Sequence, residues 1–217
     1  MTAAASALGR PARFISLEGG EGAGKSTVLA ALRAALEARG ETVVCTREPG
    51  GTPLAERIRG LLLQADGDAP TPPAELLLMF AARAQLVSTV IAPALARGDW
   101  VLSDRFTDAS HVYQGAARGG DAALIETLER RVVGIEPAMT LLLDVPVAVG
   151  RARIAGRGAP DRIEAEHDAF FDTVRGAYLA RATQHAERFR VVDASRPADE
   201  VAEAAVAHLR AHLEAMG

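Results

Sequence analysis

The chain has 217 residues, 49% of them hydrophobic and 24% charged, with a formal net charge of -4. That length fits one domain with a substantial core, the hydrophobic share excludes a disordered chain, and the acidic excess excludes a broad basic surface for nucleic acid. Cys45 is the sole cysteine, which rules out an intrachain disulfide or a cysteine zinc site and fits a reducing cytoplasm.

Residues 1–12 are rich in alanine and lack the apolar core of a secretory signal; they are expected to be a disordered tail ahead of a single domain over 13–217. A short apolar run at 13–17 predicts the first strand. It enters Gly19-Gly20-Glu21-Gly22-Ala23-Gly24-Lys25-Ser26, the spacing G-x-x-x-x-G-K-S, and a helix over 26–39, ending at Gly40, leaves it. Of 24 lysines and arginines, Lys25 alone is a lysine. A compact ammonium can move among phosphate oxygens where a planar guanidinium fork would not fit. The run therefore reads as a phosphate-binding loop, with backbone N–H groups and the helix N-terminus around the anion and the Ser26 hydroxyl on a magnesium ion.

A second strand, at 42–46, should pack Cys45 and leads into Arg47-Glu48-Pro49-Gly50-Gly51. A helix over 53–63, a polar connection at 64–72 and a helix over 73–97 follow, the last bent or closed by Pro93. Arg83, Gln85, Ser88 and Thr89 interrupt its apolar run, so no membrane span is expected. The third strand, 100–103, opens on Trp100, read as packing, and ends at Asp104-Arg105. After it come a helix over 122–133, a strand at 139–143, and a helix over 146–155 for which Asp144 is the expected cap. The glycines and cations of 156–162 read as either a movable lid, about 153–163, or a plain solvated loop. A helix over 167–188, a strand at 189–192 and a helix over 197–216 complete the chain. Short apolar runs alternating with amphipathic stretches predict an α/β fold, a five-stranded parallel sheet with helices on both faces.

In such a sheet the ligand lies beyond the carboxyl ends of the strands. That edge collects Glu18 and the phosphate loop, Arg47 with its Glu-Pro-Gly-Gly continuation, and Asp104-Arg105. Asp104, ending an apolar strand, is the candidate metal carboxylate, with Asp144 as its competitor. Arg47, Arg105, Arg153, Arg157 and Arg162 could clamp transferring phosphate, and a phosphate acceptor would need no general base. His111 is expected to be structural.

These segments together resemble the bacterial thymidylate kinases. The resemblance rests on the phosphate loop continued by Thr27, on Arg47-Glu48-Pro49-Gly50-Gly51-Thr52, on Phe80-Ala81-Ala82-Arg83-Ala84-Gln85, on Asp104-Arg105-Phe106, on Tyr113-Gln114-Gly115 and on Asp161-Arg162-Ile163-Glu164. It implies a three-layer P-loop kinase fold with a short arginine-bearing lid, ATP with magnesium as donor, dTMP as acceptor, a cytoplasmic homodimer, and no nucleic-acid or membrane partner. By the same resemblance, residues 19–27, that is Gly19, Gly20, Glu21, Gly22, Ala23, Gly24, Lys25, Ser26 and Thr27, hold ATP, and Ser26 and Asp104 serve the metal. Glu21, Arg47, Glu48, Pro49, Phe80, Arg83, Arg105, Tyr113 and Gln114 would hold dTMP. Lys25, Arg105, Arg157 and Arg153 would be catalytic, Gly22 standing where some relatives carry an arginine. The adenine would lie near 194–197. The family's base-stacking aromatic falls at Met79, with Phe80 about 100° further round the helix; for both residues helix core is the alternative reading. An ATP-driven switch, or a kinase for another acceptor, remain the competing functions.

Overall fold

The computed structural model describes residues 8–64, 68–156 and 160–217. Five strands form one all-parallel sheet: β1 (Phe14–Glu18), β2 (Val43–Arg47), β3 (Trp100–Asp104), β4 (Met139–Asp144) and β5 (Phe189–Asp193). Their order is β2-β3-β1-β4-β5, so the phosphate-loop strand lies at the centre. Register pairs Leu17 with Asp104, and Asp104 with Arg47, which puts the strand-end residues along one rim.

The three layers follow from alternation along β1, whose residues are all buried. Ile15 and Leu17 face a core with Val28, Leu32 and Leu36 of α1 (Lys25–Glu37) and Val201, Ala205 and Leu209 of α9 (Ala198–Met216). Phe14 faces the other way, among Leu76, Phe80 and Leu86 of α3 (Pro72–Leu86) and Ile125 of α6 (Ala122–Leu128). On that second side α8 (Asp168–Gln184) packs Phe170, Phe171, Val174 and Tyr178 against Leu142. The α/β fold expected from the sequence is the one observed.

Three elements differ from expectation. The helix after the 64–72 connection runs from Pro72 to Ala96 but passes through a π-turn at Val87–Ile91 before α4 (Ala92–Ala96). Pro93 has no N–H and crowds the preceding carbonyls, and a widened turn relieves both. This 25-residue path is long and apolar enough to cross a membrane, an 18-residue stretch of it having mean hydropathy 1.6, yet Leu76, Phe80, Leu86, Ile91 and Ala94 are core residues of the fold. No helix is expected over 107–117, but α5 (Thr107–Ser110) and a π-helical stretch, His111–Ala117, occupy it. Asp144 does not cap α7 (Val147–Ile154): its two oxygens accept from Arg175 Nε and Nη2 at 2.7 and 2.9 Å.

Of the tail expected over 1–12, residues 1–7 lie outside the described residues. Residues 8–12 are held in place: Gly9 exchanges backbone hydrogen bonds with Gly134 and Glu136, and Arg10 pairs with Glu136 and Glu187.

Candidate active site

The loop after β1 turns back through glycines at positive φ, Gly19 at 141°, Gly22 at 71° and Gly24 at 87°. Gly24 is the N-cap of α1, and no side chain caps that end, so its first amides face the rim. At Gly22 a Cβ would come within 2.1 Å of the Gly150 carbonyl oxygen in α7, and at Gly150 one would come within 2.3 Å of the Glu21 oxygen. Backbone touches backbone there, which is the physical reason no arginine can stand at Gly22. Lys25 Nζ donates to the carbonyls of Gly20 at 3.0 Å and Gly19 at 3.3 Å. Burial and the neighbouring Arg105 pull its pKa below the usual lysine value, against Glu21, Asp104 and Glu18.

Arg105 follows β3 in the left-handed region, φ 71°, a strained conformation for a side chain of this size. Glu18 holds it there from β1: its Oε1 accepts the Phe106 N–H at 2.7 Å, and its Oε2 accepts the Tyr178 hydroxyl at 2.7 Å. The fixed backbone sends the Arg105 guanidinium onto Glu21, the Gly19 carbonyl at 2.8 Å and the face of Tyr113 at 5.1 Å. Burial raises the Glu21 carboxyl, but Arg105 and Lys25 outweigh it and hold the group below its ordinary value. Asp104 carries a buried Oδ1 with no hydrogen-bond partner.

Glu21, Lys25, Asp104, Arg105 and Tyr113 line one cavity of about 340 Å³ above the sheet rim, within the range of small-ligand sites. It runs from Gly22, Gly24, Lys25, Ser26 and Thr27, past Asp104, Arg105 and Arg47, to Glu48, Pro49, Met79, Tyr113 and Gln114. Arg47 is bound to both oxygens of Glu56 at 3.1 and 3.2 Å and stays exposed.

Several expected site residues stand elsewhere. Phe80 is only 2% exposed and belongs to the core, its ring under the Arg83 guanidinium at 4.7 Å, while Met79 takes the cavity wall. The 100° step between them decides which side chain meets a ligand. Arg83 is 1% exposed and stands behind Glu48, bound to its Oε2 at 2.7 Å, to Ser110 Oγ and to the Phe106 carbonyl. Arg153 does not line the cavity: its Nη1 donates to the Ala194 carbonyl at 2.7 Å and to the Gly22 carbonyl at 3.5 Å, tying α7 to the turn after β5 and to the phosphate loop. Arg157 lies outside the described residues. Arg162 pairs with Glu75, and its Nε donates to the Leu62 carbonyl at 2.8 Å.

Sequence reasoning missed Arg59 and Glu75 in the wall. Arg59, on α2 (Pro53–Leu63), follows the buried Ile58 and donates to the Pro49 carbonyl at 2.9 Å. Glu75 sits one turn before Met79. The available signal was a lone carboxylate directly ahead of three leucines, in a helix whose other polar side chains, Arg83 and Gln85, come two turns later.

The thymidylate kinase family model matches residues 17–205. The thymidylate kinase of Alcanivorax borkumensis is 58% identical over 190 residues, covering 87% of this chain and 91% of that one. Those of Chromohalobacter salexigens and Bordetella petrii are 55% and 52% identical over 206 and 205 residues, each covering 94% of this chain and 97% and 96% of theirs. A parallel sheet with its phosphate loop at the centre, a cavity at the strand ends that gathers Lys25, Arg47, Arg59 and Arg105, and a match of this extent have one reading: the chain belongs to the thymidylate kinase family.

Proposed function

We propose that the protein transfers the terminal phosphoryl group of ATP to dTMP, giving dTDP and ADP, a step that supplies dTTP for DNA synthesis. The observation that carries this reading is the single cavity that joins the phosphate loop to a second, arginine-lined half. Lys25 and the amides at the start of α1 hold the donor phosphates; Arg105, Arg47 and Arg59 hold the acceptor phosphate facing them. Spreading cationic charge over the equatorial oxygens of the moving group is most of what such a transfer requires. The acceptor oxygen is already anionic, so no side chain has to remove a proton.

Ser26 and the orphaned Asp104 carboxylate oxygen are hard oxygen donors beside the donor phosphates, and they fit a magnesium ion. Such an ion would neutralise charge on the ATP phosphates. Glu21 would accept from the sugar hydroxyl of dTMP once Arg105 turns to phosphate. Met79, Tyr113 and Gln114 would enclose the pyrimidine, Glu48 and Pro49 would floor it, and Arg83 would act on it through Glu48. The adenine would lie by the turn at 194–197, which Arg153 holds. Arg157 would supply a further cation to the moving phosphoryl group. We infer further that the protein is cytoplasmic and works as a homodimer. Exposed Leu61 and Leu77, on the neighbouring helices α2 and α3, are apolar surface that such an association would cover.

The test is ADP formation with magnesium-ATP and dTMP, dUMP, CMP, AMP or no acceptor. dTMP should give the highest kcat/KM and dUMP should trail it by about 10- to 100-fold, the worth of one methyl group. Preference for AMP or CMP would move the acceptor. Strong turnover in the blank would favour a nucleotide-driven switch.

A further inference from the structure

Glu75 is a buried carboxylate with no part in the chemistry above. It is 2% exposed, opens onto the cavity, and is filled by three donors. Its Oε1 accepts from Gln114 Nε2 at 2.8 Å and from Arg118 Nε at 3.1 Å, and its Oε2 accepts from Arg162 Nη2 at 2.5 Å. A carboxylate held between two guanidiniums offers acceptors only, so the amide nitrogen of Gln114 is the end that must face it. The Gln114 carbonyl oxygen is thereby turned away from Glu75. That oxygen is buried and has no hydrogen-bond partner, although Gln114 lines the cavity and is 3% exposed. A buried acceptor without a donor is costly, and a donor on a ligand would relieve it.

We propose that Glu75 is a positioning residue that fixes the hydrogen-bonding sense of Gln114, so that the cavity presents an acceptor to ring nitrogen N3 of a pyrimidine. This rests on the reading of dTMP as acceptor. Thymine and uracil carry a hydrogen on N3 and satisfy the Gln114 oxygen. Cytosine carries a bare lone pair there and would face it acceptor to acceptor, leaving both buried and unpaired. Arg118 and Arg162 serve the same end indirectly: with both guanidiniums in place the Glu75 carboxylate has no freedom to swing away. Because Arg162 comes from the segment after α7, folding of that segment onto α2 and α3 and the reading of the base share one carboxylate.

The test is Glu75→Gln, a change that keeps size but offers Gln114 both a donor and an acceptor, so that its amide can take either sense. The unaltered and variant enzymes are compared with dTMP, dUMP and dCMP under saturating magnesium-ATP. In the variant, kcat/KM for dCMP relative to dTMP should rise by at least about tenfold, mainly through KM, while the dUMP to dTMP ratio stays put. A pocket that had only loosened would move dUMP and dCMP together, and that result, like an unmoved dCMP ratio, overturns the proposal. Should the variant fail to fold, a crystal structure of the unaltered protein with dTMP decides. Gln114 Oε1 within hydrogen-bonding distance of N3, with Nε2 still on Glu75, supports the assignment; Nε2 turned to the base overturns it. An unaltered enzyme that does not phosphorylate dTMP removes the functional reading itself, whereas one that does, with an unmoved variant ratio, removes only the role of Glu75.

Discussion

Glu18 shows how much one buried side chain can organise. It fixes the backbone of Arg105 from an adjacent strand, yet it is fully enclosed, and burial together with nearby Asp108 pushes its pKa up to about 8 against the Tyr178 hydroxyl, Arg105 and the Phe106 amide. The sign of the consequence follows from proton binding. Between about pH 4.5, the value when unfolded, and about 8, the folded protein keeps a proton that the unfolded chain has released. Its contribution to stability therefore falls as pH rises through that window. Glu18→Gln should flatten the decline in unfolding free energy between pH 5 and 8, measured by urea denaturation at each pH. An unchanged slope would mean that Glu18 is ionised throughout. Asp108 has the opposite sense: burial would raise it, but Arg188 and Arg181 hold it far below the usual carboxylate value. Its stabilisation is present above the ordinary aspartate range and is lost as pH falls below it.

At the scale of elements, the contact between the phosphate loop and α7 carries the most consequence. Gly150 lies inside a helix, where glycine costs about 1 kcal/mol relative to alanine, and its own conformation does not require glycine. The close approach of the Glu21 carbonyl does. Gly150→Ala should push the loop and helix apart, costing about 1–3 kcal/mol as overpacking does, and should raise KM for ATP several-fold, with a smaller rise in KM for dTMP through the displaced Glu21. Steady-state kinetics with each substrate varied in turn checks this; equal changes in both constants would point to general loosening instead. The π-turn ahead of Pro93 and the π-helical stretch carrying Tyr113 and Gln114 are similar cases in which a widened helix sets the direction of side chains.

Across the whole molecule, the sheet gathers residues far apart in sequence onto one rim, while buried ion pairs such as Arg188 with Asp108 tie the helical layer to the start of β5. The proposed homodimer is a prediction at this scale. Light scattering at assay concentration should give twice the mass of one chain, and a monomer there would remove the inference. Burying the leucines left outside on α2 and α3 would supply the driving force.

The strands, the phosphate loop and the acidic and cationic strand ends could be read from the chain because they depend on local causes: apolar runs, glycine spacing and a lone lysine. Even so, each strand reached one residue further than its apolar run, because a charged last residue can still pair its backbone in the ladder while its side chain leaves the sheet. The helix at 107–117 was hidden because its sequence carries buried polar residues, Asp108, Ser110 and Gln114, whose partners come from elsewhere in the chain. Which wall each side chain joins was likewise not local. Met79 rather than Phe80 faces the cavity, Arg83 and Arg153 are spent on internal carboxylate and carbonyl groups, and Glu75 becomes a junction of three donors. Pattern along a chain settles which elements form, but the rotation of a helix and the pairing of a buried charge are decided only when distant segments meet.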